Sequence, residues 1–312
     1  MSNVLPNIKA NIQNVLVGQE ETITLLLTGL LAGGHVLIED VPGMGKTVLA
    51  RALAKSVDGK FGRAQFTPDL LPSDVTGLNV YDQRAGEFRF QPGPAFCNIL
   101  LADEINRATP RTQSSLLECM AERQVTVDGE TRPLEPPFFV IATQNPVETL
   151  GTYPLPEAQL DRFLLRISMQ APSREEERAI LERFQDAEPL EDLAPVCTCQ
   201  DIRQLQAQTR KVYVHPALLD YLVELARASR DQRGVELGVS PRGTLALLRA
   251  TQAYAMLAGR AYAVPEDVKA VAVPVLAHRL SVSGMAGSSA AQRQAAGDLL
   301  QRVEVPTEDW GR

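Results

Sequence analysis

Four short apolar runs constrain the fold of this chain more than any other feature. They are His35–Glu39, Asn98–Ala102, Phe138–Ala142 and Phe163–Ile167. None alternates apolar with polar residues. Continuous runs of this length fit strands buried on both faces of a parallel sheet, not strands with one wet face. Burying both faces takes helices, and helices between parallel strands make βαβ crossovers. Helical patterns sit between the runs, at Val48–Ser56 and at Thr112–Gln124, where Leu116, Leu117 and Met120 share one face. The prediction is an α/β domain, a parallel sheet with helices on both faces. Aromatic residues make up only 5% of the chain, so its cores must be built mainly from Leu, Val, Ile and Ala.

The second half changes character. Ala171-Pro172 closes the last run, and Ser173-Arg174-Glu175-Glu176 is a capping-box pattern that opens a helix. Leu218, Tyr221, Leu222 and Leu225 share a helical face, as do Leu247, Ala250, Tyr254 and Leu257. Residues 1–171 are therefore expected to form the α/β domain and residues 172–312 an all-helical domain packed as a lid. Ser281–Ala290 is rich in Ser and Gly and reads as a flexible loop. Two stretches read as hairpins. Asn79–Asp82 and Glu87–Phe90 flank Gln83–Gly86, and Gln124–Val127 runs into the turn signal Asp128-Gly129.

The formal net charge of −7 opposes non-specific binding to a polyanion, so nucleic acid is not the expected partner. No run is long and apolar enough to span a bilayer, and no basic segment followed by an apolar stretch opens the chain. A cytoplasmic location is expected. Cys97, Cys119, Cys197 and Cys199 then read as reduced thiols, since no His or Cys cluster completes a zinc pattern around Cys197 and Cys199.

The chemistry begins at Gly43-Met44-Gly45-Lys46-Thr47, which follows a predicted strand and opens a predicted helix. That is the context a phosphate-binding loop requires. Glycines let backbone N–H groups converge on phosphate oxygens, and the helix N-terminus adds positive potential. Lys46 would pair with the β- and γ-phosphates, and the Thr47 hydroxyl would take one Mg²⁺ position. Pro42, Gly43, Met44, Gly45, Lys46, Thr47 and Val48 are the expected ATP-binding residues. Asp40 departs from the standard pattern, which wants Gly there.

Asp103-Glu104 ends the second run, where buried strands present residues to the crevice at the carboxyl edge of a sheet. Asp103 would hold Mg²⁺ through water and Glu104 would act as general base on the attacking water. An isolated acidic pair would more often cap the next helix, but this one follows a fitting strand downstream of the phosphate loop. Asn145, after the third run, could bond both the γ-phosphate and the attacking water. Asn145-Pro146 is also a common turn initiator. Arg162 lies just before the fourth run and Arg242 in Ser240-Pro241-Arg242 at a helix start. Guanidinium groups stabilise charge on a transferring phosphoryl, and one supplied by a neighbouring subunit contributes roughly 10³–10⁵ in rate. Surface salt bridges are the commoner role of either arginine taken alone.

Together these segments resemble the MoxR family of AAA+ ATPases, in the clade with a hairpin inserted in the second helix. The resemblance rests on Asp103-Glu104-Ile105-Asn106-Arg107-Ala108, Glu122-Arg123-Gln124-Val125-Thr126, Phe66-Thr67-Pro68-Asp69-Leu70-Leu71-Pro72-Ser73-Asp74 and Leu155–Phe163. It covers about residues 4–280 and is looser in the lid. It implies that Val17 and Gly18 lie beside the adenine and that an acidic Asp40 is tolerated. It also implies a hexameric ring that uses ATP to remodel or mature partner proteins. Such partners often carry a von Willebrand factor A domain, and the work sometimes aids metal or cofactor insertion. The alternative of an ATPase motor subunit of a magnesium chelatase fits the residues around Asp103 less well. A nucleic-acid motor is opposed by the hairpin Gln124–Leu134, where Arg132 faces Asp128 and Glu130. A non-hydrolysing scaffold is opposed by Glu104 and Asn145.

Overall fold

Alternate residues of each buried strand divide between two cores. Val36 and Ile38, Ile99 and Leu101, and Phe139 and Ile141 belong to one, while Leu37, Leu100, Ala102, Val140 and Ala142 belong to the other. The continuous apolar runs are thus period-two strands with two dry faces. A computed structural model describes residues 3–39, 43–145, 151–186, 188–284 and 288–311.

In chain order the elements are α1 (Val4–Gln13), α2 (Glu20–Ala32), β1 (Val36–Glu39), α3 (Lys46–Ser56), β2 (Phe61–Gln65), α4 (Pro72–Thr76), β3 (Gly77–Asp82), β4 (Glu87–Pro92), β5 (Ile99–Asp103), α5 (Pro110–Glu122), β6 (Gln124–Val127), β7 (Glu130–Pro133), β8 (Phe139–Gln144), α6 (Glu157–Leu160) and β9 (Leu165–Ile167). Then follow α7 (Arg174–Phe184), α8 (Cys199–Thr209), α9 (Pro216–Arg230), β10 (Val235–Leu237), α10 (Pro241–Leu257), α11 (Pro265–Leu276), β11 (Ser281–Val282) and α12 (Ser289–Arg302).

Five parallel strands form the central sheet in the order β2-β5-β8-β1-β9. Four are the predicted runs. The fifth, β2, is an edge strand that the apolar pattern misses, because Arg63 and Gln65 are exposed at alternate positions. Both predicted hairpins form, as β3–β4 and β6–β7. They are joined side by side, with Asn79 Nδ2 donating to Asp128 Oδ2 at 2.7 Å and the Arg132 guanidinium 4.2 Å over the Phe90 ring.

Beyond Ile167 the elements among the described residues are helices, apart from the short ribbon β10–β11. Within the expected loop at 281–290, Ser281 and Val282 pair with β10, and Ser288 caps α12 by accepting from the Ala291 N–H, while residues 285–287 lie outside the described residues. Ser173 caps α7 in the predicted capping box. The first core extends without a break from the sheet through α2 into α8, α9, α10 and α11. Helix α2 is apolar almost all round, as expected of a helix covered on every side. All four cysteines are free thiols, and burial pushes Cys97 and Cys119 up to about 12. Among the described residues no helix is long and apolar enough to cross a membrane.

Candidate nucleotide site

The sheet's carboxyl edge opens on a cavity of about 280 Å³, lined by Gly43–Val48, Arg63, Asp103, Glu104, Thr143, Gln144 and Asn145. Gly43 and Gly45 have φ of +88° and +84°, backbone that a side chain would strain. Gly45 is the N-cap of α3, so Lys46 and Thr47 fill its first turn, where unpaired N–H groups and the helix dipole favour an anion. Met44 and Val48 turn partly onto the core and anchor the loop. Pro42 and the unusual Asp40 lie outside the described residues.

Strand β5 delivers Asp103 and the chain turns sharply after it. Glu104 has φ +56° and ψ +49°, a left-handed conformation uncommon for a side-chain-bearing residue. Buried Thr143 at the end of β8 secures both acids. Its hydroxyl donates to Asp103 Oδ1 at 2.7 Å and accepts from the Glu104 N–H at 2.8 Å. Asp103 Oδ2 and Glu104 Oε2 have cationic or amide partners. Arg63 Nη2 donates to Asp103 Oδ2 at 2.9 Å, Gln65 Nε2 to Glu104 Oε2 at 2.9 Å, and Arg107 Nη1 to the same oxygen at 3.0 Å. Sequence reasoning missed Arg63, Gln65, Arg107 and Thr143. The available signal was the alternation of Arg63 and Gln65 in a segment five residues long.

Asn145 is buried and lines the cavity, next to Gln144. Gln144 Nε2 donates to the buried Glu39 carboxylate at the end of β1. That carboxylate also accepts from Ser289 Oγ at 2.5 Å, and it pairs with Arg166 at 3.5 Å and Arg293 at 4.0 Å. Glu39 therefore links the strand before the phosphate loop, the strand β8 that ends at Gln144 and the lid helix α12.

Val17 and Gly18 are not among the residues lining the phosphate cavity. They follow Leu16, whose Cδ1 stands 3.1 Å from where a Cβ on Gly45 would be. Gln19 ties the segment to the start of the lid, donating to Gln170 O at 2.6 Å. Gly18 has φ +73°, and a Cβ there would meet the Glu176 carboxylate at 2.4 Å.

Arg162 and Arg242 are not brought to this cavity. Both line a second one at the amino edge of the sheet, with Arg123, Arg249, Arg279, Asp161 and His35. Parallel strands of four to six residues separate the edges, roughly 13–20 Å at about 3.3 Å per residue. Arg162 Nη1 donates to Leu117 O at 2.7 Å, and Arg242 Nε lies 3.8 Å from Asp161 Oδ2. Asp161 also accepts from Arg279 Nε at 2.7 Å. Burial pulls Arg279 down to about 10, against the attraction of Asp161, and it stays cationic at neutral pH. His35 accepts the Val140 N–H at Nδ1, 3.0 Å away, and faces Met120 O through Nε2 at 3.1 Å. The ring is therefore neutral, and burial holds it down at about 4.

Hydroxyl and carboxylate oxygens are hard donors suited to Mg²⁺, so Thr47 and Asp103 in one cavity fit that ion as well as a triphosphate on Lys46.

Residues 35–165 match the family described as ATPases associated with various cellular activities, and residues 227–303 match the AAA lid domain. With the α/β sheet and the helical lid this defines the class: the chain is an AAA+ ATPase. It is 49% identical to the uncharacterized protein YeaC of Bacillus subtilis over 96% of this chain and 93% of that one. Its identity to the chaperone MoxR1 of Mycobacterium tuberculosis is 45%, over 86% of this chain and 73% of that one. A crystal structure of a candidate ATPase from Cytophaga hutchinsonii superposes with a TM-score of 0.89 at 38% identity, covering 98% of this chain and 96% of that one. Within the AAA+ ATPases the chain belongs with the MoxR family, to which it is related at moderate identity.

Proposed function

We propose that this chain is a Mg²⁺-dependent ATPase that assembles as a homo-oligomeric ring, a hexamer, and remodels or matures partner proteins in the cytoplasm. The observation that carries the reading is the division of the site between two cavities at opposite edges of one sheet. The first has the groups that bind and activate. Lys46 holds the phosphates, Thr47 and Asp103 hold the metal, Glu104 takes a proton from water, and Asn145 orients that water. Mg²⁺, when bound, neutralises charge on the phosphates. Val17 and Gly18 lie against the base. The second cavity has an excess of arginines and no phosphate loop, so Arg162 and Arg242 complete the first cavity of a neighbouring subunit. A ring closes such head-to-tail contacts. The chain divides functionally at 171/172, with the lid carrying Arg242.

The partner reading rests on the kinship with a protein named a chaperone and on the net charge, which disfavours polyanions. A folded partner with a von Willebrand factor A domain, matured with a metal or cofactor, is the specific form we favour. Specific ATPase activity, followed while the protein is diluted with Mg²⁺ present, tests the shared site. Activity per chain should collapse as the ring dissociates; constant activity down to the monomer would overturn the ring. Affinity capture with Glu104→Gln and ATP should then retain the partner, and ADP should release it. Equal retention in both nucleotides would remove the basis for an ATP-driven cycle.

A further inference from the structure

The phosphate cavity holds one cation that no role above uses. Arg63 projects from the edge strand β2 and lines the cavity with Lys46. Its Nη2 lies 2.9 Å from Asp103 Oδ2, and the same nitrogen donates to Gln65 Oε1 at 3.2 Å. The other oxygen of Asp103 accepts the Thr143 hydroxyl. Both oxygens of the acid expected to serve the metal are therefore engaged by the protein itself. The pair is asymmetric: the Asp103 side chain is 17% exposed and that of Arg63 48%. The carboxylate is fixed in place, and the guanidinium sits on a long stem at the water's edge, free to leave. Lys46 and Arg63 match Asp103 and Glu104 among the cavity's lining groups, and Arg107, paired with Glu104, adds a further positive charge without ligand.

We propose that Arg63 is a built-in counter-cation of the metal position, holding Asp103 until Mg²⁺ and nucleotide arrive together. This rests on the reading above that Asp103 serves a divalent cation. A metal approaching the nucleotide-free cavity must displace a guanidinium from Asp103 and then stand beside an unpaired positive charge. When a triphosphate is present the released guanidinium has an anion in the same cavity, and the exchange costs little. Arg63 thus makes metal binding conditional on nucleotide. It is a positioning and selectivity residue, not a general acid or base, since an arginine keeps its charge at every relevant pH.

The test is a Mn²⁺ titration of the full chain, with free Mn²⁺ counted by electron paramagnetic resonance. Arg63→Gln without nucleotide should bind Mn²⁺ about tenfold more tightly than the natural protein, the lower end of what a unit charge at this range does to a carboxylate. Arg63→Lys, which keeps a cation there, should stay near the natural protein. With a non-hydrolysable ATP analogue the gain of Arg63→Gln should vanish. Arg63→Met, of similar length and uncharged, gives the same measurement should Arg63→Gln fail to fold. Asp103→Asn separates the two levels. If it leaves nucleotide-dependent Mn²⁺ binding intact, Asp103 is not the metal's residue and both readings fall. If it abolishes that binding while neither uncharged Arg63 variant gains affinity without nucleotide, the counter-cation proposal alone is overturned.

Discussion

The two edges of the sheet treat charge in opposite ways. At the carboxyl edge, Asp103 and Glu104 are each matched within the chain by Arg63, Gln65, Arg107 and Thr143. At the amino edge, five arginines and a neutral histidine line a cavity with one carboxylate, Asp161, which pairs with Arg242 and Arg279. One edge is internally balanced, the other left cationic. Excess charge of one sign in a concave site is destabilising unless something outside the chain answers it. The difference suggests that the amino edge is built to meet an anion that its own chain does not hold.

Removing Arg162 should have the largest effect. Arg162→Ala should bind ATP almost normally and lose roughly 10³–10⁵ in turnover, the worth of an arginine finger. Mixing it with Lys46→Ala should restore part of the activity, because each variant supplies what the other lacks. No rescue at any ratio, in rings shown to be mixed, would place Arg162 outside the reaction. Next in size is Glu104→Gln, which keeps the shape and loses the base. Turnover should fall by about 10²–10⁴ with ATP affinity retained. Unchanged turnover would mean that the balanced edge serves folding, not chemistry.

Two smaller effects concern the cationic edge. Asp161→Asn leaves the buried Arg279 without its carboxylate and should destabilise the fold by about 3 kcal/mol, the low end for a broken buried pair. Urea midpoints would show it. His35 is held near 4 in the fold against 6.5 for an ordinary histidine. The unfolded chain therefore binds the extra proton between those values, and stability is lost as pH falls from about 6.5 toward 4. From this group the loss reaches about 3 kcal/mol at most. In His35→Gln that part of the pH slope should disappear. The contribution of His278, which burial also depresses, runs the same way and should remain. An unchanged slope would show that His35 is not buried neutral at this edge.

What was legible in the sequence follows the same physical divide. Strands with two dry faces announce themselves as unbroken apolar runs, and four of the five strands do so. Strand β2 does not, because the residues that make it useful, Arg63 and Gln65, are the ones that spoil its apolar pattern. Helix α2 went unread for the opposite reason: covered on all sides, it has no polar face to give a period. The phosphate loop, Asp103, Glu104 and Asn145 could be placed in one cavity from their positions at strand ends. The placing of Arg162 and Arg242 could not. That depends on how the lid folds back onto the amino edge, a contact between residues some eighty apart that no local pattern encodes.

Helix α2 also has a consequence for how the protein is made. Its outer face is covered by helices that end only at Leu257, long after the sheet is complete at Ile167. A ribosome adding roughly 5–20 residues per second needs seconds to synthesise that stretch. Through that interval the finished sheet carries a bare greasy helix near its beginning. A nascent chain of this kind should bind general folding factors until α10 emerges. A fragment cut after the last strand should precipitate rather than fold.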